Sequence, residues 1–163
     1  MFSRIIAAIL AFFALLFPGL QKTKPLDNEV VANTVISALK TNDIAALEAL
    51  MCKNIKQNVP DLRGEIGRLL DTIDGEEFEF SWGKSGGYSE SSGRGKSISQ
   101  NYLDIHIQNS TKHYLLIIVL ETYNSFAPEE MGIRYISVAP KTTPVSNALY
   151  TIQATEGVME WHN

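Results

Sequence analysis

The chain has 163 residues, 45% of them apolar and 20% charged, with a formal net charge of −4. This length and composition fit one globular domain and argue against two domains or a disordered chain. The acidic balance, without any Lys/Arg cluster, argues against a nucleic-acid partner. The single cysteine, Cys52, excludes an intramolecular disulfide and a cysteine-based zinc site, and its apolar context predicts a buried thiol.

The first twenty residues predict an export segment. Arg4 precedes an unbroken apolar run from Ile5 to Phe17, which ends at Pro18-Gly19. This order is that of a secretory signal, and the run is shorter than the roughly 20 residues of a membrane span. No small-x-small pair precedes Gln21, so a retained N-terminal anchor and a buried core helix remain alternatives to cleavage. We therefore expect an exported chain, secreted or anchored at the outer face of the membrane, with membrane contact only through residues 1–20.

Residues 21–26 form a short polar linker, and residues 27–163 are expected to form a single domain. Apolar residues at helical spacing predict three helices, over residues 28–40, 43–51 and 60–73. Asp27 is the expected N-cap of the first helix, and Gly75 the stop signal of the third. The second helix is expected to fray between Cys52 and Gln57.

After Gly75 the apolar period changes from 3.6 to 2, which predicts four strands, over residues 78–82, 98–108, 113–123 and 133–138. The third strand contains six successive apolar residues from Leu115 to Leu120, so we expect it at the centre of the sheet. Glycine and serine dominate residues 83–97 and predict a long mobile loop. In the tail, Leu149–Ile152 fits a strand or one helical turn, and Val158, Met159 and Trp161 are expected to pack on the core.

This order of elements predicts an α+β domain with three N-terminal helices on one face of an antiparallel sheet. The sheet has four strands, or five if the tail contributes one. Strong twist would curve it over the helices into a cone with an open mouth.

Four segments carry a resemblance to a known family: NEVVANTVISALKTNDIAALEALM, NVPDLRGEIGRLLDTIDG, SSGRGKSIS and ETYNSFAPEEMGIRYISV, within residues 27–138. The chain resembles a family of uncharacterised exported proteins of Gram-positive bacteria, classed as a domain of unknown function. More broadly it is similar to the cystatin-like, nuclear-transport-factor-2-like superfamily. The resemblance implies a cystatin-like cone, and it assigns no catalytic residues.

Three side chains are candidates for catalysis in the cone. Asp104 and His106 lie two apart on one face of a strand, which suits a general base oriented by a carboxylate, or two of three metal ligands. Alternation gives the simpler interpretation that both belong to the solvent-facing side of the strand. Glu121 would act as a base at an apolar cone mouth, as the resemblance to the superfamily suggests, or would form a cross-strand ion pair with Arg134.

Two further sets are candidates for binding. Phe78, Phe80, Trp82 and Tyr135 would line a pocket, or would simply fill the core. Tyr88, Arg94 and Lys96 in the glycine-rich segment would contact a partner. Gly83-Lys84-Ser85 and Gly95-Lys96-Ser97 lack the earlier glycine of a phosphate-binding loop and precede a strand, so they predict no nucleotide site.

The sequence therefore predicts an exported, non-enzymatic domain that binds a small ligand or a protein, without metal or cofactor. One alternative is a small isomerase or dehydratase that uses Asp104, His106 or Glu121 as base. The other alternative is an inhibitory or immunity-type protein that presents residues 83–97 to its partner.

Overall fold

The computed structural model describes residues 24–73, 75–92, 96–141 and 148–154. In this part of the chain, four helices precede an open antiparallel sheet of five strands, so the α+β prediction is confirmed. The helices are α1 (Asn28–Thr41), α2 (Ile44–Leu50), α3 (Lys53–Asn58) and α4 (Leu62–Thr72). The strands are β1 (Glu79–Ser92), β2 (Lys96–Gln108), β3 (His113–Asn124), β4 (Gly132–Pro140) and β5 (Tyr150–Gln153), and a 3-10 helix spans Pro128–Glu130.

The predictions for the two ends of the chain fall mostly outside these residues. The export segment at residues 1–20 and the tail residues Val158, Met159 and Trp161 lie outside the described ranges. Of the tail, residues 150–153 form strand β5, which decides between the strand and the helical turn. Across the four described ranges, no helix has the length and apolar character to cross a membrane.

Aspartates begin three of the helices. Asp27, Asp43 and Asp61 each accept a hydrogen bond from a backbone N–H two or three residues later, at 2.9, 3.0 and 3.3 Å. These carboxylates satisfy donors that the first turn of a helix leaves without an intrahelical partner. The caps explain why the starts of α1, α2 and α4 lie close to the positions that the sequence predicts.

The helix count differs from the predicted three, because the segment expected to fray forms a separate helix, α3. Met51 adopts an extended conformation at the end of α2 and forms a parallel bridge with Ile133 of β4. The backbone N–H of Cys52 donates to the Ile133 carbonyl at 3.0 Å. The chain thus leaves the helical conformation to dock on the sheet, a long-range contact that local periodicity does not indicate.

The central position of β3 is confirmed. The strand order is β1-β2-β3-β4-β5, with every neighbouring pair antiparallel. β3 pairs along nearly its whole length with β2 on one side and β4 on the other. The apolar run from Leu115 to Leu120 therefore lies where backbone pairing is complete on both edges.

The predicted mobile loop at residues 83–97 is wrong, because β1 and β2 run through most of it. β1 continues to Ser92 and β2 begins at Lys96, with residues 93–95 between them outside the described part. A Cβ atom on Gly86 would lie 2.9 Å from the Tyr102 ring, and one on Gly87 would lie 2.7 Å from the side-chain oxygen of Asn101. These glycines thus permit close cross-strand packing, a role that composition does not distinguish from a loop.

The hydrophobic core lies between the helices and one face of the sheet. The helices contact β2, β4 and β5 from this side. Helix residues such as Leu47, Ile66 and Leu69 are fully buried against the inward residues of the strands. The strands contribute Leu103, Ile105, Ile107, Tyr114, Leu116, Ile118, Leu120, Ile133, Ile136, Val138 and Ile152.

Candidate functional site

The sheet surface opposite the helices, which we call the outer face, collects several of the predicted site residues. Its central side chains come from β2, β3 and β4 and form rows across the strands. These rows are Tyr102–Val119–Tyr135, Asp104–Ile117–Ser137 and His106–Leu115–Ala139. The outer face therefore has an aliphatic centre on β3, with aromatic and polar residues on either side.

β3 is apolar on both of its faces. Burial alternates from His113 to Ile118, so that Leu116 and Ile118 face the core while Leu115 and Ile117 are only half-buried. Val119 is buried between its cross-strand neighbours, two tyrosines. An antiparallel sheet with helices on one side usually presents polar residues on the other. The aliphatic centre of the outer face departs from this rule.

Asp104 and His106 lie on the outer face, but their side chains are engaged elsewhere. Asp104 Oδ1 accepts a hydrogen bond from the Ser85 hydroxyl at 2.9 Å. The His106 ring instead contacts the ring of His113, with centroids 5.8 Å apart and an interplanar angle of 67°. The arrangement needed for a carboxylate-oriented base is therefore not formed by these two residues.

Glu121 forms the ion pair with Arg134 that the sequence suggests, and the pair belongs to a larger buried cluster. Its side chain has no exposed surface, and Oε2 lies 2.7 Å from Nη1 of Arg134. Gln100 donates to Oε2 at 3.2 Å, and Asn124 donates to Oε1 at 2.5 Å. A carboxylate held by three donors is poorly placed to take a proton from a substrate, so the cluster has a structural character.

The same cluster also shapes the turn after β3. Asn124 Oδ1 accepts hydrogen bonds from the backbone N–H groups of Phe126 and Ala127, at 2.8 and 2.9 Å. Glu121 thereby orients Asn124, and Asn124 in turn caps the chain as it leaves the sheet. Gln100 and Asn124 are buried polar residues that sequence reasoning missed. Strand register brings Gln100 opposite Glu121, whereas Asn124 follows Glu121 by three residues on the same strand.

The four aromatic residues proposed for a pocket are divided between the two sides of the sheet. Phe78, Phe80 and Trp82 pack against the hydrophobic core, where Phe78 meets Phe80 and Tyr114 edge-to-face. Lys40 of α1 lies over the Phe80 ring, 5.3 Å from its centroid. Tyr135 is instead paired with Val119 on the outer face, so the structure does not bring the set together.

The proposed contact residues of the glycine-rich segment are also separated. Tyr88 lies on β1, is half-exposed, and donates a hydrogen bond to Glu90 at 2.7 Å. This hydrogen bond raises the pKa of the Tyr88 hydroxyl above its ordinary value. Lys96 is the first residue of β2, and Arg94 falls outside the described residues.

A polar network between α4 and β5 was not predicted. Tyr150 donates to Glu65, and Arg68 donates to both Glu65 and the Tyr150 hydroxyl. The hydrogen bond from Tyr150, followed by that from Arg68, lowers the pKa of Glu65. Glu65 and Arg68 stand at the i, i+3 spacing of a helical pair, but nothing local connects them to a tyrosine 85 positions later than Glu65.

Cys52 is buried, as the sequence predicts. It has 1% of its surface exposed and packs in the hydrophobic core. Burial raises the pKa of its thiol above the ordinary value. A buried thiol with a raised pKa is a poor nucleophile, so Cys52 contributes packing rather than chemistry.

Within the described ranges, no group of three or more His, Cys, Asp or Glu residues is arranged to hold a metal ion. Comparison with curated proteins gave no match. A model of the family described as Domain of unknown function (DUF5104) matches residues 34–145, which is more than half of the chain. The chain therefore belongs to the family of proteins that carry this domain of unknown function.

Proposed function

We propose that the chain is an exported, non-enzymatic binding domain and that its partner is a protein that docks on the outer face. The observation that carries this proposal is the aliphatic centre on the side of β3 away from the helices, where the half-buried Leu115 and Ile117 lie beside the buried Val119. The export segment predicted from residues 1–20 supports the part of the proposal that the chain acts outside the cytoplasm. The cystatin-like curvature implied by the resemblance belongs to the same proposal.

The composition of the outer face suits a protein partner. Tyr102 and Tyr135 flank the aliphatic centre, and Tyr is enriched at protein interfaces because its ring is apolar and its hydroxyl is polar. Asp104 and Gln108 on β2, with Thr151 and Gln153 on β5, give the surface a polar margin. An apolar centre with a polar rim is the usual anatomy of a protein interface, so the expected partner presents an apolar patch.

The enzymatic and small-ligand alternatives receive less support. Asp104 is hydrogen-bonded to Ser85 and not to His106, and Glu121 is held by three donors, so neither carboxylate forms the arrangement that the enzymatic alternative needs. The proposed aromatic pocket is split between the core and the outer face. These placements favour a surface that recognises another protein over a cavity that holds a substrate.

Site-specific photo-crosslinking in the native host tests the proposed surface. A benzophenone side chain at position 117 is expected to give a discrete protein adduct, whereas the same group at the exposed helix position Ala45 is not. Leu115→Arg should abolish the adduct, because it places a charge in the apolar centre, while Ala45→Arg should leave it intact. Absence of an adduct at position 117, equal adducts at both positions, or insensitivity to Leu115→Arg would overturn the proposal.

Export is tested separately in the same host. Protein outside the cytoplasm, accessible to added protease in intact cells or released into the medium, is the expected result. Mass spectrometry of its N-terminus then distinguishes cleavage near residue 20 from a retained anchor. Protein confined to the cytoplasm would contradict the export part of the proposal and leave the docking surface to be judged by crosslinking.

A further inference from the structure

Two imidazoles meet on the outer face next to the turn between β2 and β3. His106 is paired with Leu115, and His113 is paired with Gln108, so the histidines are diagonal neighbours on adjacent strands. Their ring centroids lie 5.8 Å apart with an interplanar angle of 67°. The sequence separation conceals this contact, which results from the register of the hairpin.

Each ring has one buried nitrogen that lacks a hydrogen-bond partner. Nδ1 of His106 and Nε2 of His113 are buried without a hydrogen-bond partner among the described residues. Buried polar atoms are nearly always partnered, so a lone one calls for an explanation such as a bound ion or water. Because the two rings are in contact, a single bound ion or water would account for both nitrogens.

The pKa of His113 is lowered, first by burial of the ring and then by Lys141 and His106. A metal binds the neutral form of an imidazole.

The separation of the rings suits coordination of a single ion. A metal about 2.0–2.1 Å from an imidazole nitrogen lies roughly 3 Å from the ring centroid, so two rings that share an ion have centroids at most about 6 Å apart. The observed 5.8 Å lies within this range. The proposed ion lies between the two rings, and one nitrogen of each ring must be directed at this common point.

We propose that His106 and His113 together bind one divalent transition-metal ion, through one nitrogen each, and that Cu²⁺ is the preferred ion. The described ranges contain no group of three or more His, Cys, Asp or Glu residues arranged to hold a metal, so the proposal assigns two protein ligands to the ion. A site with two protein ligands suits Cu²⁺ because the affinity of nitrogen ligands for divalent ions peaks there, and because its tetragonal geometry accepts two imidazoles with water. Zn²⁺ is expected to bind more weakly at the same site.

Titration of the metal-free full chain with Cu²⁺ at pH 7.5 tests the site, with calorimetry for the affinity and electron paramagnetic resonance for nitrogen coordination. His106→Gln and His113→Gln should each weaken binding roughly tenfold or more, because the ion loses one of two protein ligands, and should reduce the nitrogen hyperfine pattern to that of one imidazole. The matched control is His162→Gln, which removes the third histidine of the chain and should leave binding unchanged. The glutamine variants keep a polar side chain, and circular dichroism confirms that they fold.

Thermal unfolding supplies a second measurement. Cu²⁺ should raise the melting temperature of the wild type and of His162→Gln, but not that of either ligand variant, because binding to the folded state alone is stabilising. Affinity unchanged in both His106→Gln and His113→Gln, or lost only in His162→Gln, would overturn the proposal. Tighter binding of Zn²⁺ than of Cu²⁺ would overturn the metal preference.

Discussion

Glu121 and Arg134 form an ion pair in which the carboxylate is completely buried while the guanidinium still reaches solvent. The side chains are 0% and 35% exposed, and Nη1 lies 2.7 Å from Oε2. Glu121 is paired with Gly132, and the register shift between Val119 and Leu120 leaves Arg134 as the extra, unpaired residue of β4 beside it. The pair therefore depends on an irregularity in strand register.

Loss of this guanidinium should destabilise the fold much more than loss of a surface partner. Arg134→Met leaves a buried carboxylate with only two amide donors, and we expect the free energy of unfolding to fall by about 2–4 kcal/mol. The control is Arg63→Met, which breaks the pair with Glu48 at 3.1 Å on the surface and should cost less than about 1 kcal/mol. Urea unfolding measures both values, and equal losses would contradict the assignment of a buried pair.

The network of Glu65, Arg68 and Tyr150 should make stability depend on pH in acid. A carboxyl whose pKa is lowered in the folded protein stabilises the fold above its ordinary pKa of 4.5 and loses that contribution as the pH falls through the lowered value. Tyr150→Phe removes the main cause of the lowering. It should therefore reduce stability at pH 7, and the difference from the wild type should shrink as the pH falls below 4.5.

Thermal unfolding between pH 7 and pH 3 measures this difference. In a Glu65→Gln background, Tyr150→Phe should give no pH-dependent difference in this range, because the titrating carboxyl is absent. A difference between wild type and Tyr150→Phe that stays constant down to pH 3 would show that Glu65 is not coupled to the tyrosine.

Gly132 should tolerate no side chain. Its φ is +137°, and a Cβ atom there would lie 2.7 Å from the Leu50 carbonyl oxygen and 2.9 Å from the Cys52 nitrogen. Gly132→Ala should therefore lower the free energy of unfolding by about 2 kcal/mol or more. Gly83→Ala is the control, since nothing lies within 4 Å of its Cβ position, and it should change stability by less than about 1 kcal/mol. Similar effects in denaturant unfolding would refute the close approach of β4 to the helices.

Neighbouring isoleucines on β3 should differ in their contribution to stability. Ile118 is fully buried against the helices, and Ile118→Ala should cost about 2–4 kcal/mol. Ile117 is half-buried on the outer face, so Ile117→Ala should cost about 1 kcal/mol. Equal costs in urea unfolding would mean that both faces of β3 are equally covered, which would remove the basis for docking on the outer face.

The parts of the fold that could be predicted from the sequence are those with local causes. The aspartate caps locate helix starts, and the run from Leu115 to Leu120 identifies the central strand. The glycines and serines of residues 83–97 led to the wrong prediction of a loop. The same residue types also occur in an edge strand that packs closely on its neighbour. Helix α3 was missed as a separate helix because the contact of Met51 with Ile133, which interrupts the helical conformation before it, is long-range.

The candidate site could be predicted only in part, for a related reason. Alternation places Asp104 and His106 on one face, but strand register decides that His106 meets His113 and that Asp104 meets Ser85. Glu121 could be matched with Arg134 from their strands, whereas its amide partners became visible only in three dimensions. Functional pairs on a sheet depend on which strands are neighbours and on where bulges shift them.

The position of β1 affects how the molecule resists self-assembly. This strand forms one edge of the sheet. From Gly83 onward it consists largely of serine and glycine in place of branched apolar residues, and its register shifts at Ser85. A strand of low β-propensity whose unpaired backbone N–H and C=O groups are interrupted by a bulge is a poor template for fibril growth. The sheet thus combines an aliphatic centre on its outer face with an edge strand, β1, that is a poor template for strand addition. This combination agrees with the proposal that a partner docks on the outer face.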